Sequence, residues 1–442
     1  MMFPSRSSLV RCAIRQPIVF LRRWPKTGVV VCAITLGLVA VLSVFVWTRY
    51  HYRAALWCLH NDLLKDARRH LELSLQVWPH DLETNLLLAR VCRMGGDYIQ
   101  AERQLDECKR IGGMSDRIQL EWVLMKAQSG EILRWEPGLR RCLEEKHPDS
   151  VWILQTLAHR HLSDLRFMAA LGYLDEWLKH DPDNLRALSW RGWVREKMEN
   201  VEGAYDDAVR ILQIAPDRWE IRLRLVEYLL GGRKVPEAEE HLEILRRDHA
   251  DDTRVMHAWG QYQYHNGNLD EARQTFDALL QKAPDDAKAL FERGQIEIQE
   301  GRLDTAEKFL RRSIETDPGN VDAQYALFFT LQNNPKRKGS AKQALSEYKT
   351  VQEAAKKIRQ LLKDLDRMPG NTNIMVETGK VFLLHGNAKL GAQFLNRALN
   401  VNPYHKEGHE LLIDYYEKTG DKKKADIHRK ALVDLFPSPP VP

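Results

Sequence analysis

The strongest constraint on this chain is a recurrence with a period of 34 residues. A small residue is followed four positions on by an apolar residue, three further by another packing residue, and commonly five beyond that by a proline. Ala170, Leu174, Trp177 and Pro182 set the pattern. Ala204, Ala208, Ile211 and Pro216 repeat it, as do Ala272, Phe276, Leu279 and Pro284, and then Ala306, Leu310, Ser313 and Pro318. The small position extends to Ala67, Ala101, Ala238 and Ala425, with Gly391 in the repeat before last. Prolines in register include Pro79, Pro403 and Pro437. A second small residue stands twelve before the first, at Ala55, Ala89, Ala158, Gly192, Gly260, Gly294 and Gly379.

Steps of three and four residues place these positions on one face of a helix, and small residues let two helices approach closely. Proline ends the second helix of each pair. Turn signals fall between the helices, at Gly95-Gly96-Asp97, His265-Asn266-Gly267-Asn268, Glu300-Gly301-Arg302, His385-Gly386-Asn387 and Thr419-Gly420-Asp421. A unit of this size cannot bury its own apolar face, so each hairpin has to stack on the next.

The period, the Gly, Ala and Pro positions, and phrases such as Gly267-Asn-Leu-Asp-Glu-Ala272 resemble the tetratricopeptide repeat family over roughly residues 50 to 437. The resemblance implies an all-α chain, a solenoid of about eleven helical hairpins. It also implies a right-handed superhelix whose concave face, lined by the first helix of each pair, receives an extended or helical peptide. Carried onto this sequence, the expected groove positions are Trp152, His159, Arg186, Trp193, His257, Gln261, Tyr264, Phe291, Gln295, Tyr325 and Phe329. Aromatic anchors with polar rims suit peptide recognition, although some of these residues are equally suited to packing between repeats. The Lys and Asn arrangement with which some family members clamp a C-terminal carboxylate is not matched.

The pattern breaks in two places. Near 114–148 the small position is taken by Glu136-Pro137 with one residue inserted, which predicts a degenerate or bent hairpin. Between Ala306 and Gly391, Asn333-Asn-Pro-Lys-Arg-Lys-Gly339 interrupts the chain, and Ser340 to Met368 reads as one helix longer than a repeat helix. That stretch is either a contact surface or an irregular spacer. The expected organisation is a basic leader at 1–27, a membrane helix at 28–48, an array at 49–331, an irregular insertion at 332–370, two terminal hairpins at 371–437 and a proline-rich tail at 438–442.

The membrane helix is expected because Gly28 to Thr48 contains no charge over 21 residues, enough at about 1.5 Å per residue to cross a hydrocarbon core of about 30 Å. Trp24, Trp47 and Tyr50 flank it as an aromatic belt would. Bulky residues at Val44-Phe-Val-Trp47, where a signal peptidase wants small ones, favour an uncleaved anchor. Five basic residues lie within 20 residues before the span and four after it (Arg49, Arg53, Lys65, Arg68). This bias orients the N-terminus inward, with the array outside the cytoplasm of a bacterial inner membrane.

The formal charge of +5 misleads, because the six basic residues of the leader (Arg6, Arg11, Arg15, Arg22, Arg23, Lys26) account for it. The rest is nearly neutral and offers no footprint for nucleic acid. None of the six cysteines forms a C-x-x-C pair; Cys92 and Cys108 could pair across one hairpin in an oxidising compartment. His409-Glu410 lacks the second histidine of a zinc motif, and no phosphate loop or nucleophile elbow is present. No catalytic residue, metal or cofactor is therefore expected. The expected partners are proteins or peptides and a lipid bilayer along 28–48. A homo-oligomer stays open, as do an accessory subunit of a membrane enzyme and a self-assembling structural protein.

Overall fold

The computed structural model describes residues 26–436. The basic leader up to residue 25, Pro437 and the proline-rich tail at 438–442 lie outside the described residues. Every element among those described is helical. The chain divides into two compact units, residues 1–131 and 132–442.

In the first unit, α1 (Lys26–His60) runs unbroken from the apolar stretch into the first hairpin, where Ala55 and Cys58 are buried with Ala67 and Leu71 of α2 (Leu64–Val77). Its apolar part is bare: Val30, Leu36, Val41 and Val46 are each more than half exposed. Next come α3 (Leu82–Met94) and α4 (Tyr98–Gly112), and then α5 (Asp116–Lys126), which ends in a π-turn at Ala127–Glu131 with Gly130 at φ 144°. An ionic cluster is buried here. Glu121 accepts Arg93 Nε at 2.5 Å and Arg90 Nε at 3.0 Å, while Arg93 Nη1 donates to Gln128 Oε1 at 2.7 Å. Gln128 Nε2 donates back to the Arg93 carbonyl at 3.1 Å. Burial alone would push the Glu121 carboxyl up, but the two guanidiniums outweigh it and hold the group below the usual carboxylate range.

The second unit opens with α6 (Ile132–Glu144), which has Pro137 inside it. Eight hairpins follow. The first four are α7 (Ser150–Ser163) with α8 (Phe167–His180), α9 (Leu185–Lys197) with α10 (Val201–Ile214), α11 (Trp219–Gly231) with α12 (Val235–His249), and α13 (Thr253–His265) with α14 (Leu269–Lys282). The last four are α15 (Ala287–Gln299) with α16 (Leu303–Thr316), α17 (Val321–Asn333) with α18 (Lys338–Arg367), α19 (Thr372–His385) with α20 (Ala388–Val401), and α21 (Lys406–Lys418) with α22 (Lys422–Leu435).

The recurrent small residues are the contact points of each pair: Ala170, Ala238, Ala272, Ala306 and Ala425 are fully buried. A Cβ on Gly260 would stand 2.6 Å from the Phe276 ring, and one on Gly379 would stand 2.7 Å from Leu395. Burying a side chain such as Phe276 contributes about 2–3 kcal/mol. First helices start on a repeated cap, in which Asn184, Asp286, Asn320 and Asn371 each accept the amide three residues on.

The anticipated long helix is α18, with 30 residues where its neighbours have 13 or 14. Its C-terminal end reaches the α7–α8 turn of the same unit: the Met168 amide donates to Asp366 Oδ2 at 3.2 Å. From α20, Arg397 Nη1 meets Asp164 Oδ1 at 3.2 Å. The array of the second unit thus returns on itself.

Candidate functional site

All eleven residues expected to face the groove lie on first helices: Trp152 and His159 on α7, Arg186 and Trp193 on α9, His257, Gln261 and Tyr264 on α13, Phe291 and Gln295 on α15, and Tyr325 and Phe329 on α17. Their surroundings divide them. Tyr325 and Phe329 are exposed, at 50% and 41%. Tyr325 is edged by Tyr348 of α18, with ring centroids 5.4 Å apart. Arg186 is buried beneath Trp190, its guanidinium 5.7 Å from the ring centroid, and the His159 ring lies 5.5 Å from the same indole. Trp193 meets Phe167 edge-on at 5.6 Å, His257 meets Phe276 at 5.7 Å, Tyr264 leans on the Phe276 cluster, and Phe291 packs against the cluster around Leu310. These four seal hairpins at least as much as they face outward. For Trp152 and Gln295 the structure shows half-burial.

A row of charges on α11, α13 and α15 escaped the sequence reading. Gln261 Nε2 donates to Glu292 Oε1 at 2.7 Å, and burial still pushes the Glu292 carboxyl up. Glu227 is exposed to water, yet its carboxyl is also pushed up by desolvation, which outweighs Lys288, Arg224 and Arg254 nearby. Water reaches this group while protein fills most directions around it, which is the environment of a concave wall. Burial, with Lys288 adding to it, lowers His257 to about 4, so the imidazole is neutral at physiological pH. Arg224 lies 3.7 Å from Glu196, whose carboxylate also accepts Tyr228 Oη–H at 2.9 Å. Two of the missed residues, Trp190 and Glu292, share one register, two positions before the small residues Gly192 and Gly294. That signal was available.

A lysine or arginine brought against a carboxyl that burial has pushed up would lower its pKa again.

Among the described residues, Cys58, Cys92, Cys108 and Cys142 are free thiols. Cys58, Cys92 and Cys108 are buried, and the conceivable Cys92–Cys108 bridge is not formed. Burial pushes Cys92 up to about 11 and Cys108 up to about 12, which makes them unreactive packing groups.

Helical hairpins repeated at this spacing, with small residues at most of the crossings, define an α-solenoid. The family model for the tetratricopeptide repeat matches residues 223–287 and 257–321, so this part of the chain is built of tetratricopeptide repeats. No curated protein matches it. Among solved structures, it is similar to a tetratricopeptide repeat protein from Parabacteroides merdae at 14% identity and a TM-score of 0.36, over 64% of this chain and 98% of that one. TTC0263 of Thermus thermophilus matches at 19% identity and a TM-score of 0.34, over 40% of this chain and 95% of its own. Human IFIT1, solved as a dimer with m7Gppp-AAAA, matches at 14% identity and a TM-score of 0.37, over 81% and 91%.

Proposed function

We propose that the chain is a non-catalytic scaffold, anchored in a bacterial inner membrane by α1, that holds extended segments of partner proteins on the first-helix face of α9 to α17. The observation that carries this reading is that the desolvated carboxyls Glu227 and Glu292, the latter held by Gln261, stand on the same run of first helices as the exposed rings of Tyr325 and Phe329. Aromatic surface supplies affinity and the carboxyls supply selection for basic residues.

Two features support anchoring by α1. Its apolar stretch is largely bare, Val30, Leu36, Val41 and Val46 each being more than half exposed, and leaving such a length in water is unfavourable by about 25 cal/mol per Å2. Arg49, Tyr50, Arg53 and Trp57 border a common surface immediately after the apolar stretch, as expected where headgroups begin. Trp78, beyond α2, comes back to Phe45 with ring centroids 5.8 Å apart, so the first hairpin sits beside the bilayer. The array then projects outside the cytoplasm, where secretion and envelope assembly both need a tethered receptor.

The test uses the full chain in detergent against an array of extended peptides. Peptides with Lys or Arg near an aromatic residue are expected to bind. The Glu227→Gln, Glu292→Gln pair should weaken them roughly tenfold, corresponding to about 1.4 kcal/mol. Binding indifferent to both substitutions would sink the proposed face.

A further inference from the structure

The turn between α7 and α8 holds an apolar residue where the matching turns hold Gly267, Gly301 or Gly420 at positive φ, or the polar Asp62, Glu199 and Arg233 at φ 59°, 62° and 57°: here it is Leu165, with φ 55°. A leucine held in the left-handed region needs a compensating contact. It has one: the side chain packs into the cluster built from Leu365 of α18 and Met375, Phe394 and Leu395 of the following hairpin. Asp164 and Arg166 flank it. The Asp164 carboxylate accepts Arg160 Nε at 3.3 Å and Arg397 Nη1 at 3.2 Å, and Arg397 also reaches the Asp164 carbonyl at 3.2 Å. The extra length of α18 delivers Leu365 and Asp366 to this place.

The contact is left short of polar partners. Arg166 Nε and Asp366 Oδ1 are buried and lie 3.9 Å apart, too far for a hydrogen bond, and neither atom has another partner. A cleft of about 290 Å3 runs between Arg160, Ser163 and Asp164 on one side and Leu390, Gln393 and Arg397 on the other. Buried polar atoms left short of partners cost stability, and one leucine is little apolar surface to offset them. Such an interface opens before the hairpins themselves unfold.

We propose that the α7–α8 turn is a reversible latch, which closes the second unit around an extended polypeptide and swings off α18 and α20 to admit it. The admission role rests on the peptide-binding reading above; the latch itself does not. Two states of a packed contact, and not gradual bending, are what such an element offers.

Hydrogen exchange on the full chain in detergent tests the latch directly, because the Met168 amide donates across the contact to Asp366. Met168 should exchange at least tenfold faster than the core amides of α7 and α20. It should slow at least tenfold when Ser163→Cys and Gln393→Cys are joined by a disulfide across the cleft. Exchange as slow as the helix cores in the unmodified chain, or no response to the disulfide, would overturn the latch. In the second arm, peptides selected on the unlocked protein should associate at least tenfold more slowly with the disulfide-locked one and recover on reduction. Equal association in both states overturns the admission role while leaving peptide binding intact. Failure to bind in either state removes the peptide reading, and the admission role with it, while the exchange result still stands for or against the latch.

Discussion

Two buried ionic clusters in this chain are built from the same residue types and come out differently. Around Glu121 in the first unit, Arg90 and Arg93 both reach the carboxylate at hydrogen-bond distance, Gln128 holds Arg93 in turn, and the Glu121 pKa is held down. Around Asp366 in the second unit, the nearest guanidinium atom stands 3.9 Å away and desolvation pushes the carboxyl up. The first cluster joins elements that stack directly on one another. The second joins segments about 200 residues apart in sequence. A buried charge is tolerated when its geometry is completed by immediate neighbours and is a liability where the contact is remote, so the first reads as a fastener and the second as a catch.

The largest effect should come from breaking the fastener. Arg93→Ala leaves Glu121 buried without its main partner and should destabilise the first unit by about 3–5 kcal/mol, read by denaturant unfolding followed through Trp122. Replacing Arg93, Arg90 and Glu121 together by apolar residues should recover most of that loss. If it does not, the cluster is more than a paired burial. Next comes Gly260→Ala, whose methyl would press on the Phe276 ring. A loss of about 1–3 kcal/mol is expected from overpacking. That result would show that the seams of the second unit are as tightly fitted as any, and would confine the looseness to the α7–α8 turn.

Titration separates the clusters by sign. The Glu121 pKa is depressed in the folded state, so its contribution is complete above the unfolded value of about 4.5 and is lost as pH falls through the depressed one. The Asp366 pKa is raised, so its contact is most favourable below the unfolded value of about 3.8 and weakens as pH rises through the raised one. Arg166, His161 and Glu136 border the same contact and titrate or carry charge there too, so the comparison has to be made against Asp366→Asn. Relative to that variant, Met168 exchange corrected for its intrinsic rate should slow on acidification towards pH 4. The unfolding midpoint of the first unit should stay level until lower pH. A parallel decline in both would erase the distinction.

The hairpins were legible because a crossing of two helices demands a small residue at a fixed step, and Ala170, Ala272 and Gly260 announce it locally. The long helix was legible because no glycine or proline falls between Ser340 and Met368. The use made of its length was not, since nothing in Leu165 or Asp366 alone points to the other across 200 residues. Register placed all the expected groove positions on first helices, but it cannot tell an exposed ring such as Tyr325 from one turned into a seam such as Phe291. Glu227 and Glu292 escaped because a carboxylate on a helix ordinarily means a solvated face, and only the surrounding helices make these two unusual. Cys92 and Cys108 sit on one hairpin, but whether they bridge depends on where the two side chains point, which spacing does not specify.

The smallest expected effect is the most discriminating. Leu165→Gly removes a left-handed leucine, a relief of about 1–2 kcal/mol, and deletes a side chain whose partial burial contributes about as much. Global stability should therefore move by less than about 1 kcal/mol, while the α7–α8 turn loses the only leucine it sets into the terminal cluster. Protection of Met168 should fall with no matching change in the helix cores. If the substitution instead lowered the whole second unit by several kcal/mol, the turn would be a structural keystone, and the contrast with the Glu121 cluster would be one of degree only. If Met168 stayed protected, the charges of Asp164 and Arg397 would be holding the contact without the leucine, and the under-satisfied pair at Asp366 would not be its weak point.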